Sequence, residues 1–138
     1  MLVKGFINYT VKIAKSRIHG KGLYAVENMP AKKKIGSLGG EIISKRKGRS
    51  KAKTKKSISL VELWNGETLD ASVNSNELKF INHSCQPNTY MRTLNHHVEF
   101  YALRNILASE ELTCNYGSTH HNGSKKCMCG APGCKRFI

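Results

Sequence analysis

Phe80-Ile81-Asn82-His83-Ser84-Cys85-Gln86-Pro87-Asn88 is the stretch on which the reading of this chain turns. Taken alone, its Asn-His pair reads equally well as a simple turn. Its weight comes from what surrounds it. Glu111-Leu112-Thr113-Cys114-Asn115-Tyr116-Gly117 follows about one hairpin later, and the chain closes with Cys127-Met128-Cys129-Gly130-Ala131-Pro132-Gly133-Cys134. Upstream lies Ser16-Arg17-Ile18-His19-Gly20-Lys21-Gly22-Leu23-Tyr24-Ala25. Two glycines one residue apart let a backbone approach a ligand closely, but they also make ordinary turns.

Composition bounds the answer. A chain of 138 residues reads as one domain, able to bury roughly two-thirds of the surface its unfolded chain would expose. It has no apolar run near the roughly 18 residues of a membrane span, and residues 1–9 do not read as a signal peptide. The net charge is +14, from 23 Lys+Arg against 9 Asp+Glu. Such a charge speaks about partners rather than fold: nucleic acid, a nucleoprotein, an acidic protein or an anionic membrane surface would all be attracted. Five cysteines are present, and an odd number argues against a simple disulfide framework. Cys127, Cys129 and Cys134, spaced Cys-x-Cys-x4-Cys, suit thiolate metal ligands better. Thiols kept in that state imply a reducing, intracellular compartment.

Along the chain, residues 6–26 hold two short β-like runs, and 35–43 reads as a strand pair broken by Gly36, Gly39 and Gly40. Residues 45–56 are almost purely basic and read as an exposed loop or insert. Strand candidates follow at 57–64 and 69–73, and 76–81 suggests one helical turn. Residues 90–94 and 98–103 make a hairpin around Asn95-His96-His97, and 112–115 makes a last strand. The pairs His96-His97 and His120-His121 lack a metal-ligand spacing and read as polar loops. No long amphipathic helix is evident. On pattern alone this mostly β chain would be a small sandwich or barrel.

The motifs together resemble the SET-domain protein lysine methyltransferases with a post-SET zinc tail, from about residue 10 to the end. The tail is most similar to those of the trithorax and COMPASS-type histone methyltransferases. The resemblance implies several small sheets around a C-terminal pseudoknot, an arrangement that periodicity does not reveal. It divides the chain into a SET domain at 1–118 and a post-SET segment at 119–138. It implies S-adenosylmethionine as methyl donor, with backbone or side-chain contacts from Gly20, Lys21, Gly22, Leu23, Asn82, His83, Tyr116 and Phe137. It makes Tyr116 the catalytic residue and puts Cys114, two residues before it, at the substrate channel; Tyr90 and Tyr101 are spare aromatics that read first as core packing, with lining of the channel as their alternative role. It supplies the missing fourth ligand of one structural zinc ion, Cys85, to join Cys127, Cys129 and Cys134.

The chain departs from the family pattern at three places. Cys114 stands where Phe or Tyr is usual, leaving room for more than one methyl group to be added. Asn115 stands where an acid is usual, and Ser109 where glycine is. The expected substrate is a protein lysine in a histone tail or another basic DNA-binding protein, at chromatin or a nucleoid. The 45–56 run is available for nucleic-acid phosphates or as a nuclear-localisation signal. The competing reading is a catalytically silent, basic chromatin-binding module that kept the fold.

Overall fold

The computed structural model describes residues 1–54, 59–116 and 126–138. Among the described residues, twelve short strands form three separate sheets rather than a sandwich or a barrel. The first sheet takes β1 (Leu2–Val3), β6 (Gly40–Ile43), β8 (Thr68–Asp70) and β7 (Leu60–Glu62), in that spatial order. The second takes β2 (Phe6–Ile7), β5 (Lys34–Ser37), β11 (His97–Ala102), β10 (Thr89–Leu94), β12 (Thr113–Cys114) and β9 (Asn82–His83). The third is the hairpin of β3 (Val11–Lys15) and β4 (Lys21–Ala25).

The run at 35–43 does make two strands, but they do not pair with each other. Gly39 and Gly40 mark where the chain leaves one sheet for another. A Cβ on Gly40 would come within 2.6 Å of the Asp70 carbonyl, so only glycine lets these backbones meet. The hairpin of β10 and β11 turns at Asn95, which adopts φ 54°, a conformation that Asn tolerates well. One core joins the sheets, with Leu23, Ile35, Leu69, Leu78, Val98, Ile106 and Leu112 fully enclosed. Each such side chain contributes about 1.5–3 kcal/mol by leaving water.

Two features position the site. First, β12 lies between β9 and β10 and is parallel to both. The segment around it runs between two arms of the chain at 82–89, which is the knot that the resemblance implies. Asn88 holds it on both sides: its Nδ2 donates to the Glu111 carbonyl at 2.8 Å, and its Oδ1 accepts from Thr113 N–H at 2.8 Å. The Thr89 hydroxyl donates to the Thr113 carbonyl at 2.7 Å.

Second, the basic stretch expected as a loop is helical over Lys45–Thr54 (α1), while residues 55 and 56 fall outside the described set. Lys, Arg and Ala are good helix formers, but without an apolar stripe the helix leaves no periodic signal. Tertiary contacts hold it instead. Lys51 Nζ bonds the fully buried Asp70 carboxylate at 2.6 Å, and Gly48 lies against Thr68. A Cβ at Gly48 would stand 2.5 Å from Thr68 Oγ1. Gly48→Val should therefore lift α1 from β8, at a cost of about 1–3 kcal/mol. Thermal unfolding would register this as a loss of several degrees. An unchanged midpoint would mean that α1 is not packed as described. Among the described residues, no helix is long and apolar enough to cross a membrane.

Candidate active site and metal centre

The turn between β3 and β4 is closed by a bond from Ser16 N–H to the Gly20 carbonyl, 2.8 Å, with Gly20 at φ 49°. The Ser16 hydroxyl donates to Glu111 Oε2 at 2.6 Å and accepts from the N–H groups of Ile18 and His19. Asn82 clamps this turn to β9. Its Nδ2 lies 3.0 Å from Ser16 Oγ, 3.0 Å from the His19 carbonyl, 3.1 Å from the Lys21 carbonyl and 3.3 Å from Glu111 Oε2. Two hydrogens thus serve four acceptors, so the NH2 group is wholly engaged in shaping the turn.

Glu111 reaches into the space beside Gly22: a Cβ there would meet Glu111 Oε2 at 2.5 Å, so a side chain would displace the carboxylate from its place in the turn. Sequence reasoning missed Glu111. Only its place in the Glu110-Glu111-Leu112-Thr113 run hinted at it, since its partners lie far away in the chain.

A cavity of about 430 Å³ opens beside the turn. Gly20, Lys21, Asn82, His83 and Tyr116 converge on its wall, together with Ile18, Phe80, Met128 and Ile138. Gly22 and Leu23 do not reach it. The Leu23 side chain is enclosed in the core, and its carbonyl accepts from Leu112 N–H at 2.7 Å. Phe137 is more than half exposed and points elsewhere; its neighbour Ile138 is the buried residue that closes the wall.

His83 ties this wall to the knot. Its Nδ1 accepts from Tyr116 N–H at 2.9 Å, which leaves the proton on Nε2, 3.4 Å from Cys85 Sγ. Burial, helped by the nearby Lys135 charge, pushes its pKa down, so the ring stays neutral. The Tyr116 hydroxyl donates to the Ile81 carbonyl at 2.7 Å. Burial holds that phenol well above its ordinary pKa, so it remains a protonated donor.

A second, larger cleft of about 620 Å³ lies on the other side of Tyr116. Its walls come from α1 through Lys45, Gly48, Arg49 and Ala52, from β7, and from Leu78, Ile81, Met91, Thr93 and Phe100. Ser59, Ala71, Lys79 and Tyr116 line both cavities, so Tyr116 stands where they join. Of these four, sequence reading singled out only Tyr116. Cys114, carried over as a channel residue, is buried and lines neither cavity, and burial pushes its thiol to about 11. Tyr90 and Tyr101 line neither cavity. They stack on each other at 5.4 Å across the hairpin, and the Tyr101 hydroxyl donates to Glu99, itself paired with Lys34.

The four cysteines named from the sequence come together. The Sγ atoms of Cys85, Cys127, Cys129 and Cys134 all lie within 4.8 Å of one another. Individual separations are 4.0 Å for Cys85–Cys127, 4.0 Å for Cys85–Cys134 and 3.4 Å for Cys129–Cys134. A tetrahedral site with metal–sulfur bonds of about 2.3 Å has edges of roughly 3.8 Å, so the cluster fits one such ion. Backbone N–H groups of Lys135 and Arg136 point at Cys85 Sγ (3.4 Å) and Cys134 Sγ (3.3 Å). Such donors favour thiolates over thiols. Gly130 and Gly133, at φ 66° and 72°, make the turns that wrap the tail. Cys114 takes no part. His96 Nε2 sits 3.2 Å from Glu67 Oε1, a polar loop contact, and the pair at 120–121 falls outside the described residues.

The SET domain family model matches residues 20–117, and the chain belongs to that family. It is 34% identical over 138 residues to human histone-lysine N-methyltransferase 2B, covering 93% of this chain and 5% of the relative. It is 35% identical over 140 residues to the H3 lysine-4 specific histone-lysine N-methyltransferase of Saccharomyces cerevisiae, covering 93% and 13% respectively. Among solved structures, the polycomb repressive complex 2 of Chaetomium thermophilum aligns with TM-score 0.71 and 29% identity. That match covers 79% of this chain and 15% of the other. The chain thus spans a small fraction of the length of each relative.

Proposed function

We propose that the protein transfers a methyl group from S-adenosylmethionine to a lysine side chain of a histone or another basic chromatin protein. The observation that carries this is the position of Tyr116 at the junction of two cavities, one walled by the glycine turn, Asn82 and His83, the other an apolar cleft. The smaller cavity, about 430 Å³, is within the usual range for a cofactor site. Backbone groups of Gly20 and Lys21, with Asn82 and His83, would hold the donor there. Asn82 contributes by fixing the turn, and His83 by fixing Tyr116. S-adenosylmethionine supplies an electrophilic methyl carbon on a sulfonium.

The protein's part is then positional. The larger cleft buries a lysine stem against Leu78, Ile81, Met91 and Phe100. Loss of water around the amine favours its neutral, nucleophilic form. Tyr116, fixed at its N–H by His83 and at its hydroxyl by the Ile81 carbonyl, offers an oxygen lone pair at the junction of the cavities. Weak C–H···O contacts from there orient the reacting groups, and alignment of this kind supplies much of the barrier reduction.

The four-cysteine cluster would hold one structural Zn²⁺, the ion that an all-thiolate tetrahedron suits best. The names of the relatives, among them an H3 lysine-4 specific enzyme, support a histone substrate and action at chromatin.

The direct test is transfer of a labelled methyl group to core histones, nucleosomes and prokaryotic DNA-binding proteins. Label on lysine is the expected result. Absence of both label and measurable donor binding would instead put the silent-module reading first.

A further inference from the structure

We infer that α1 is a docking element for double-stranded DNA, held beside the substrate cleft so that the protein works on a DNA-bound partner.

The helix spans Lys45–Thr54, ten residues. At about 100° per residue, Lys45, Arg46, Arg49 and Lys53 fall within roughly 100° of its circumference, in a stripe about 12 Å long. They and Ser50 alone line a shallow hollow on the outer surface. All four cations are exposed, and none has a carboxylate within ion-pair distance among the described residues. The helix's other cations are engaged. Lys47 lies 3.9 Å from Glu41, and Lys51 is bonded to Asp70. Lys51 and Gly48 anchor the opposite face, so the unpaired stripe is held outward.

The chemistry of the stripe selects its partner. A protein interface concentrates its energy in buried aromatic and apolar anchors, and α1 offers none: Ala52 is its one apolar side chain beyond glycine, and it faces the cleft. An interfacial membrane helix needs a broad apolar face, which is also absent. Single-stranded nucleic acid is held by base stacking on aromatics, and α1 has no aromatic residue. What remains is a row of cations that matches the dense phosphate charge of a duplex. The B-form major groove is wide enough to admit a helix, whereas the A-form groove of duplex RNA is too deep and narrow. Lys45 and Arg49 also line the substrate cleft, so DNA held by α1 lies next to the residue being modified.

The last step rests on the methyltransferase reading; the binding does not, and it is measured without any transfer. The experiment is fluorescence anisotropy with a 30-base-pair duplex of random sequence, titrated from low to moderate salt. Two variants are compared, each removing four charges: Lys45→Gln, Arg46→Gln, Arg49→Gln, Lys53→Gln against Lys4→Gln, Lys12→Gln, Lys15→Gln, Lys33→Gln. Glutamine keeps helix propensity, so α1 should remain folded; circular dichroism checks this, and the single variant Arg49→Glu serves if it does not. The α1 variant is expected to bind at least about tenfold more weakly, with a salt slope smaller by roughly 3. The control variant should lose less than about threefold. Equal losses in both, or a salt slope untouched by the α1 changes, would overturn the inference. So would α1-dependent binding that is tighter to duplex RNA, single-stranded DNA, an acidic peptide or anionic vesicles.

Discussion

Tyr116→Phe should slow methyl transfer by at least about 10²-fold, the scale on which misplacement of reacting groups acts, while donor affinity stays nearly unchanged. The separation follows from the geometry. The phenol ring supplies a wall of the smaller cavity, and the Phe ring keeps that wall. The backbone N–H that binds His83 Nδ1 is also retained. Only the hydroxyl is lost, at the point where the two cavities meet. Its bond to the carbonyl of the buried Ile81 goes with it, which costs about 1–3 kcal/mol of stability because the acceptor is left without its donor. That loss is too small to unfold the protein. Single-turnover transfer, donor titration and thermal melting together isolate the effect. Normal turnover in the variant would remove Tyr116 from the chemistry, and a parallel loss of donor binding would make its role structural.

Cys85→Ser should take bound metal from one per chain to nearly none and release the tail. Apparent binding energies of structural zinc sites reach about 10–16 kcal/mol, most of it spent as folding energy. Here that energy would order residues 127–138, whose buried members are Cys127 and Ile138. Met128 and Ile138 wall the smaller cavity, so donor affinity should fall with the metal. Cys114→Ser, a change outside the cluster, should leave metal content intact. Metal stoichiometry, limited proteolysis of the tail and donor titration make the test. A chain with well under one metal ion and full activity would sink the metal assignment.

Much of this site was readable because its residues carry their chemistry with them. The spacing of Cys127, Cys129 and Cys134 states a metal preference in any fold, and the resemblance added Cys85. Asn82, His83 and Tyr116 stood in short motifs whose local order survives folding. What could not be read depends on approach between distant segments. Glu111 matters because it fills the space that a side chain on Gly22 would need, a fact of three dimensions. Gly22 and Leu23 were carried over from the family's glycine turn, and strand alternation, which sends the Leu23 side chain into the core, is not visible in that motif. Tyr90 and Tyr101 read first as packing aromatics with a channel role as the alternative, and the hairpin register sets them directly opposite each other, stacked. The helix α1 was invisible because its stability comes from Asp70 and Thr68, far along the chain, rather than from any pattern of its own.

The strand pairing around Thr113–Cys114 has a consequence for how the molecule comes into being. The hydrogen bonds that fix residues 111–116 between the two arms reach back 23 to 35 residues. No earlier part of the chain can assemble the site without this late segment. Closing such distant contacts is slow, so recovery of donor binding should lag behind recovery of strand signal on refolding. The same interlock works in reverse. To dismantle the site, the chain must withdraw β12 from between two neighbours at once, and this should make the residues around Tyr116 among the last to exchange their amide hydrogens.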